Sequence, residues 1–379
     1  MVKRLENRSK NGLINTPSDG YSLPTGYRVS ILFLFLFFII CRQQVYSQNA
    51  RAETAARIAE LNQKYHDSGH FDGQVLVADS AGIIYKGAFG LADRQHNLPL
   101  STKTMFYLAS VSKQFTATAI LLLIQDGRIS PDDRIRKFIP ELPPTYDNIT
   151  FRHLLTHTSG IPDYYEFTEP REGFNNHDVF QILLKIDSLE FVPGSRYSYS
   201  NSGYVLLSIL TERISGKSFA EFLKENAFEK AGLKYTVVYD ENAKRVKNRA
   251  VGYGADSAIT DYRFRTTGGG GIFSNVEDLY RWHLALSSGS ILKDNIQKLA
   301  FEPFLLNNDS TVFYGFGWEI DPKNPKHIFH SGELEGFRTH FDRRLDEGIV
   351  IILLTNNSSG ILRWMTDLIY GAIKAHHLR

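Results

Sequence analysis

The sequence predicts an α+β fold in which an antiparallel β-sheet, built from both ends of the chain, is flanked by helices. Three observations support this prediction: strand-like stretches near both ends, a mainly helical middle over residues 128–265, and an all-apolar segment at Ala117–Ile124. Strands from both ends favour one sheet completed by both termini, with the helical middle inserted at its edge as a subdomain. A cleft between the two parts is a natural place for a functional site.

The first third of the chain is predicted to supply two helices and two strands. Over residues 51–67, Ala, Ile and Leu recur at helical spacing, which indicates an amphipathic helix. Phe71–Ala78 and Gly82–Phe89 are strand-like and are separated by a short polar turn. A long helix is predicted over residues 109–126, ending near Gly127, where a C-cap glycine belongs. Its apolar centre indicates burial on every side.

The helical middle contains two further clear helix candidates. Gly203–Ile214 is predicted to be helical, with Asn201 and Ser202 as N-cap candidates and Gly216 at its end. The second candidate is Phe219–Phe228.

The last third begins with a glycine-rich bend at Gly268–Gly271 and then returns to strands. Ser274–Glu277 spells a capping box, which predicts the start of the helix that contains Leu279 and Trp282. The remaining elements are predicted as three strands and a closing helix: Phe313–Ile320, Phe337–Arg343, Gly348–Thr355 and Ile361–Ala375.

Composition and charge indicate a globular protein without a nucleic-acid partner. Of the 379 residues, 42% are hydrophobic and 22% are charged, which is enough apolar material for a large core. The net charge is +2, but residues 1–47 carry six Lys/Arg against two Asp/Glu. The rest of the chain is therefore close to neutral and gives no electrostatic reason to expect a nucleic-acid partner.

The N-terminus is typical of an export signal. Basic residues precede an apolar run at Ile31–Ile40, which is shorter than the roughly 20 residues that span a bilayer. We predict a signal peptide over residues 1–47 with cleavage after Ser47, or an uncleaved anchor at residues 29–41. The protein is then exported to the periplasm or the exterior, with membrane contact only through an uncleaved segment. The single cysteine, Cys41, follows Ile40, which is too large for lipoprotein processing.

Ser110 and Lys113 form the strongest candidate for nucleophilic chemistry. A serine hydroxyl needs a base within hydrogen-bond reach, and positions i and i+3 share one face of a helix. Burial lowers the pKa of a lysine, which turns it into such a base. A second Ser-x-x-Lys, Ser290 to Lys293, lies in a polar loop and is interpreted as chance.

The segment Phe106–Ala117 around Ser110 resembles the first motif of the class C β-lactamase and DD-peptidase superfamily, the penicillin-binding-protein type. Tyr199-Ser200-Asn201 resembles its Tyr-x-Asn motif, and His330-Ser331-Gly332 resembles its His-x-Gly motif. Leu154–Pro162 and Gly269–Trp282 also look like the family. The resemblance runs from about residue 52 to about residue 375, in the family's order, and implies one hydrolase domain over that range.

The resemblance also implies roles. Ser110 would form an acyl-enzyme, Lys113 would accept or relay its proton, and Tyr199, held near two cationic groups, would shuttle the proton to the leaving group. The backbone N–H groups of Ser110 and Glu333 would form the oxyanion hole. No metal or cofactor is implied. The substrate-binding set would be Asn201, His330, Ser331, Gly332 and Glu333.

Two other sequence patterns offer alternative site residues. Tyr146-Asp147-Asn148 also spells Tyr-x-Asn, but it lacks the helix entry that follows Tyr199. His153 and His157 can share a helix face, yet no acidic third ligand accompanies them, so a structural role is expected.

We therefore predict an exported serine hydrolase that cleaves amide or ester bonds of a small molecule or peptide. Compounds derived from the cell wall are one candidate class of substrate. The alternatives are a true class C β-lactamase and a catalytically silent binding or sensor protein. His330 stands where true β-lactamases carry lysine, and Glu333 and Glu335 add negative charge. These departures predict a preference for neutral or cationic substrates over penicillins.

Overall fold

The computed structural model describes residues 48–169, 171–261, 263–358 and 360–377. The predicted signal segment, with Cys41, lies outside the described residues. Ala52–Arg379 form one compact unit, and the architecture below is that of this unit.

Thirteen strands are present in the described ranges: β1 (Gly73–Asp79), β2 (Gly82–Phe89), β3 (Leu91–Asp93), β4 (Leu98–Pro99), β5 (Phe106–Tyr107), β6 (Val237–Val238), β7 (Ile272–Ser274), β8 (Phe304–Leu305), β9 (Thr311–Val312), β10 (Glu319–Asp321), β11 (Asn324–Leu334), β12 (Phe337–Arg344) and β13 (Ile349–Thr355). The helices among them are α1 (48–67), α2 (Lys113–Gln125), α3 (Phe151–Leu155), α4 (Asn176–Leu183), α5 (Asn201–Ser215), α6 (Phe219–Leu223), α7 (Val276–Ser287), α8 (Asp294–Gln297) and α9 (Leu362–His377).

The main sheet joins strands from both ends of the chain, as the sequence predicts. Its order is β10-β11-β12-β13-β1-β2, and every neighbouring pair is antiparallel. The N-terminal and C-terminal parts meet where β1 pairs with β13, with Val75 opposite Leu353. The predicted α+β class and the antiparallel sheet are therefore confirmed.

Both faces of the sheet are covered, which explains the unbroken apolar runs of β1 and β13. Side chains alternate between faces along a strand. Val75 and Val77 therefore join one core with Ile58 of α1 and Met365 of α9, while Leu76 faces the larger core on the other side. The sheet is thus the middle layer between the terminal helices and the helical part of the chain.

Helix α2 is the buried helix that the sequence predicts. All its residues from Lys113 to Leu123 are buried. Phe115 contacts the Trp282 ring of α7, with ring centroids 4.6 Å apart. Gly127 follows with a φ of +70°, as expected for a glycine that ends a helix. The first four residues of the predicted helix, Ala109–Ser112, instead form a turn of 3-10 helix.

Two predicted helix starts are wrong by a short distance. Asn201 begins α5 instead of capping it, because its N–H donates to the side chain of Asp163, at 2.7 Å. The capping box of α7 is shifted by one residue: Asn275 is the N-cap and accepts from the N–H of Asp278, at 2.9 Å. Asn accepts such a bond as well as Ser does, so the sequence alone does not fix the register.

Two predicted elements are shorter than expected. Phe219–Phe228 divides into α6 and a π-helical turn at Lys224–Phe228. Of the strand predicted at Phe313–Ile320, only its end is in β10, because a tight turn precedes it. In that turn Gly315 N donates to Trp318 O at 2.9 Å, and Gly317 adopts a φ of +78°.

Candidate active site

Ser110 lies on a turn that is fixed between two sheets. Leu108 N donates to Ile272 O of β7 at 2.9 Å, and Thr339 Oγ1 of β12 donates to Leu108 O at 2.7 Å. Ala109 adopts a φ of +48°, a conformation that costs a non-glycine residue about 1–2 kcal/mol. This strained residue turns the chain immediately before Ser110, and its conformation gives no signal in the sequence.

Three hydrogen-bonding groups surround the amine of Lys113, which is fully buried. Its Nζ lies 3.2 Å from Ser110 Oγ, 2.8 Å from Asn201 Oδ1 and 2.8 Å from Gly269 O. The last two are acceptors only, so they take two N–H bonds. A neutral amine has two N–H groups and one lone pair, and its lone pair is therefore left for the hydroxyl of Ser110.

Burial lowers the pKa of Lys113 from 10.5 to about 7, and the attraction of Asp163 partly opposes that change. An amine with a pKa near 7 exists in its neutral form in a large fraction of molecules at neutral pH. Lys113 is therefore able to accept a proton from Ser110 without a further base.

Asp163 is a site residue that the sequence analysis missed. Its Oδ2 accepts from Asn201 N at 2.7 Å and from Asn201 Nδ2 at 2.9 Å, which directs Asn201 Oδ1 toward Lys113. The only signal in the sequence is its place directly after the family-like segment Leu154–Pro162.

Replacing Asp163 by Asn is expected to lower kcat/KM about tenfold or more, because a neutral amide oxygen accepts the two N–H bonds of Asn201 more weakly than a carboxylate does. It also removes the negative charge that raises the pKa of Lys113. The basic form of Lys113 then appears at lower pH, so the rising limb of a kcat/KM-against-pH curve shifts to lower pH. Asp132→Asn, a change at an exposed ion pair with Arg152, is the control. An unshifted limb in the Asp163 variant contradicts the assignment.

Tyr199 stands beside the serine and lysine. Lys113 Nζ lies 4.8 Å from the centre of its ring, and its hydroxyl is hydrogen-bonded to Ser110. His157 stacks on the other side, with ring centroids 4.1 Å apart. Although 37% of the residue is exposed, the protein around the hydroxyl raises the pKa of Tyr199 well above 10. Tyr199 is thus a neutral phenol in the resting enzyme.

His330 occupies a different place from the one predicted. It is 2% exposed and does not line the cavity beside Ser110. Tyr314 Oη donates to its Nε2 at 2.9 Å, and its Nδ1 donates to Ser331 O at 2.6 Å. Burial and the nearby Lys113 lower the pKa of His330 to about 3. His330 is therefore neutral and does not supply one of the two cationic groups expected near Tyr199.

Gly332 allows β11 to approach the Ser110 turn. A Cβ at this position would lie 2.3 Å from Leu108 O, 2.3 Å from Thr339 Oγ1 and 3.1 Å from Ser110 N. The pairing of β10 with β11 ends at Phe329. The next residues of β11, which lie at the Ser110 turn, are therefore not paired with β10. A glycine is thus needed where two backbones meet.

The side chains of Ser331 and Glu333 do not point toward Ser110 as a substrate-binding pair. They alternate with Gly332 along β11, so they lie on the other face of the strand. Ser331 Oγ is 2.9 Å from His340 Nδ1, and the Glu333 carboxylate, which is 71% exposed, pairs with Arg338. Glu333 is nonetheless one of the residues that line the cavity.

The glycine bend closes the site from the other side. A Cβ on Gly268 would lie 2.1 Å from Tyr204 O, and one on Gly270 would lie 2.3 Å from Tyr107 Oη. Only residues without a Cβ let this backbone pass close enough for Gly269 O to reach Lys113.

The two competing arrangements of the sequence analysis lie elsewhere. Tyr146 is fully buried and donates to Leu183 O at 3.3 Å. His153 packs near Phe304, whereas His157 belongs to the aromatic cluster around Tyr199. Within the described ranges, no group of three His, Cys, Asp or Glu side chains is placed to hold a metal ion.

A cavity of about 90 Å³ opens beside Ser110. Residues from five segments of the chain line it: Tyr107, Ala109, Tyr164, Tyr165, Asn201, Val205, Thr266, Thr267, Gly269, Gly270, Glu333 and Leu334. Ser110 thus lies at the lining of a narrow, mixed polar and aromatic cleft. The amine of Lys113 and the phenol of Tyr199 lie next to it.

Comparison with known proteins identifies the family. The Beta-lactamase family model matches residues 55–372. The chain belongs to the beta-lactamase family. It is therefore a serine hydrolase by descent, and its family implies a small-molecule or peptide substrate.

Individual members of the family differ in the activities they are named for. The chain is 33% identical to penicillin-binding protein 4* of Bacillus subtilis (strain 168) over 337 residues, covering 82% of this chain and 72% of the relative. It is 24% identical to a D-aminopeptidase of Gluconobacter oxydans (strain 621H) over 326 residues, covering 83% and 60%. An octameric penicillin-binding protein homologue from Pyrococcus abyssi superposes with a TM-score of 0.74, at 24% identity and 83% and 76% coverage.

The superposition and the family match agree with the predicted β-lactamase and DD-peptidase-like fold, and the suspected family is confirmed. None of the helices in the described ranges has both the length and the apolar composition that a membrane span requires.

Proposed function

We propose that this protein hydrolyses amide or ester bonds through an acyl-enzyme on Ser110. The observation that carries the proposal is the position of Lys113 Nζ, which is within hydrogen-bond reach of Ser110 Oγ. Asn201 Oδ1 and Gly269 O are placed to accept both N–H groups of the neutral amine, which leaves its lone pair for Ser110. The remaining steps follow from the positions of Tyr199 and β11.

Acylation begins when the neutral amine of Lys113 takes the proton of Ser110. The Ser110 oxygen attacks the substrate carbonyl carbon, and the resulting oxyanion lies between the backbone N–H groups of Ser110 and Glu333. Gly332 supports this arrangement, since it lets β11 come close to Ser110 N. When the bond to the leaving group breaks, Tyr199 donates its proton to the departing atom and is reprotonated from Lys113.

Deacylation uses the same groups in reverse order. Water replaces the leaving group beside Tyr199 and loses its proton to Lys113 through the phenol. The carbon–oxygen bond to Ser110 then breaks, the acid product leaves, and Ser110 recovers its proton. His330, neutral and held by Tyr314, positions the aromatic cluster and does not exchange protons near neutral pH.

The narrow cleft favours a small acyl group. Tyr164 and Tyr165 supply aromatic walls, and Thr266 and Thr267 supply polar ones. The names of the relatives, a penicillin-binding protein and a D-aminopeptidase, support a peptide or amide substrate. We therefore propose a peptidase or esterase, cell-wall peptides being one substrate class.

Covalent labelling tests the proposal. Intact-mass spectrometry after a fluorophosphonate probe should show one adduct, and peptide mapping should locate it on Ser110. The Ser110→Ala variant should show none. A folded wild-type protein without an adduct would favour the alternative of a silent binding protein, which the complete set of Ser110, Lys113 and Tyr199 argues against.

The second candidate function is that of a true β-lactamase. The negative charge of Glu333 matters for this candidate because it could repel an anionic penicillin. Glu333→Gln is expected to raise kcat/KM for a penicillin relative to a neutral ester by only about twofold, because the exposed carboxylate already pairs with Arg338. Steady-state kinetics with both substrates measures the ratio. A tenfold change would show that Glu333 acts as an unpaired charge at the rim.

We also propose that residues 52–375 act as one hydrolase domain and that the protein is exported. The basic and apolar composition of residues 1–47 supports export. N-terminal sequencing of the protein recovered outside the cytoplasm distinguishes cleavage after Ser47 from an uncleaved anchor.

A further inference from the structure

A second cavity, of about 410 Å³, lies beside the candidate active site. Its lining includes the aromatic rings of Tyr197, Phe313 and Tyr314 and one acidic residue, Glu319 of β10. Tyr197 and Phe313 are 39% and 38% exposed, so aromatic surface remains open to a ligand. We call this space the Glu319 cavity. It has no lining residue in common with the cleft beside Ser110.

The Glu319 cavity adjoins the active site through the Tyr199 cluster. The ring of Tyr314 is 6.4 Å from that of Tyr199 and 6.2 Å from that of Tyr197, between centroids. Glu319 also acts electrostatically on both Tyr197 and Tyr199. The cavity is therefore on the Tyr199 side of the serine, where the proposed mechanism has the leaving group.

Glu319 is a carboxylate without a close cation. No ion pair joins it to a Lys, Arg or His in the described parts of the chain, although Arg363 and His340 attract it from farther away. Burial raises the pKa of Glu319, with the Ser331 N–H partly opposing this. A half-buried carboxylate is partly desolvated, which disfavours its charge unless a cation pairs with it, so a cationic ligand would be stabilised here.

The aromatic walls favour the same kind of ligand. The faces of Tyr and Phe rings attract cations, and they do so best where water is partly excluded. An alkylammonium group combines a positive charge with apolar methylenes, and the apolar residues of the lining, Leu306 and Val312, suit the methylenes.

We propose that the Glu319 cavity binds an ammonium group carried on the leaving-group side of the substrate, with Glu319 as its counter-charge. The proposal rests on the proposed function, which assigns the leaving group to the Tyr199 side. It makes Glu319 a specificity-determining residue for amines on a flexible alkyl chain, such as the side-chain amine of a diamino acid.

A pair of matched esters tests the proposal. Both have the same acyl group; one alcohol ends in an ammonium group and the other in a methyl group. They form the same acyl-enzyme, so any difference in kcat/KM arises before deacylation. Wild-type protein should prefer the ammonium ester, and Glu319→Gln should reduce that preference about tenfold, as expected for loss of one charge-assisted contact. Tyr197→Leu, which keeps the wall apolar, should reduce it about threefold.

Asp309→Asn is the matched control. It removes one negative charge from the exposed turn between β8 and β9, and Asn tolerates its φ of +63°. The Asp309→Asn variant should prefer the ammonium ester over the methyl-terminated ester as strongly as the wild type does. An unchanged preference in Glu319→Gln and Tyr197→Leu, or equal losses in Glu319→Gln and Asp309→Asn, overturns the proposal.

Binding without turnover separates this inference from the proposed function. Calorimetric titration with n-butylammonium, against n-butanol at equal ionic strength, uses the same variants. Binding that is lost in Glu319→Gln and kept in Asp309→Asn supports the cavity even if Ser110 proves unreactive. Equal binding to wild type and Glu319→Gln, or none to either, overturns it even if Ser110 hydrolyses both esters.

Discussion

Lys113→Met is expected to lower kcat/KM and the rate of fluorophosphonate labelling of Ser110 about 10³-fold. The substitution removes the amine that lies within hydrogen-bond reach of Ser110 Oγ, and a general base contributes about 10²–10⁴-fold. In the wild type, both rates should rise with pH through about 7, because the neutral form of Lys113 appears there. Stopped-flow labelling across pH measures both effects.

The second Ser-x-x-Lys of the chain provides the control for this substitution. Lys293 is exposed and precedes α8, so Lys293→Met should leave labelling unchanged. If Lys113→Met labels at the wild-type rate, or if its labelling keeps the same rise through pH 7, Lys113 is not the base.

The same buried lysine predicts how stability depends on pH. The pKa of Lys113 is about 7 in the folded protein and 10.5 without the environment of the fold. Between these values the unfolded chain binds more protons, so the contribution of Lys113 to the free energy of unfolding increases with pH, by at most about 1.4 kcal/mol per pH unit. Denaturant unfolding at several pH values measures the free energy of unfolding of wild type and Lys113→Met. The difference between the two proteins should show this slope.

Gly332→Ala is expected to lower kcat/KM about 10²-fold, because a misplacement of about 1 Å has an effect of that size. The added Cβ would lie 2.3 Å from Leu108 O, which is backbone and cannot rotate away. β11 must therefore move from the Ser110 turn, and it carries the proposed oxyanion donor at Glu333 with it. Overpacking of this kind also lowers the free energy of unfolding by about 1–3 kcal/mol.

Gly371→Ala is the companion variant. A Cβ on this α9 glycine would meet no atom within 4 Å, so activity should be unchanged and stability slightly higher. Kinetics and thermal unfolding of both variants separate the effects. A Gly332→Ala enzyme that is destabilised but keeps full kcat/KM would show that the approach of β11 serves folding alone.

The fold was largely predictable because its signals are local. The apolar runs of β1 and β13 and the all-apolar α2 predict elements that are buried on both faces or all round, and the structure buries them in this way. Errors occurred where two residues compete for one role, as Ser274 and Asn275 do for the cap of α7, or where a turn shortens a strand, as before β10.

The proposed site was predictable only in part, because its members come from distant parts of the chain. Ser110 and Lys113 are one helical turn apart, and that spacing alone brings their side chains together. Asp163 lies 38 residues from its partner Asn201, and no periodicity connects them. His330 and Glu333 belong to or follow a motif that the sequence contains. The face of β11 on which each side chain lies, however, depends on the pairing of β11 with β12.

The sequence by itself determined the sheet shared by both chain ends, the buried helix and the Ser110–Lys113 pair, because each depends on the spacing of neighbouring residues. Tertiary structure alone decided the charge states. Lys113 has a pKa near 7 and His330 a pKa near 3 because protein atoms from remote segments exclude water around them. It also decided where Glu319 lies, since a carboxylate without a cation beside Tyr197 is created by packing β10 against a loop more than a hundred residues earlier in the chain.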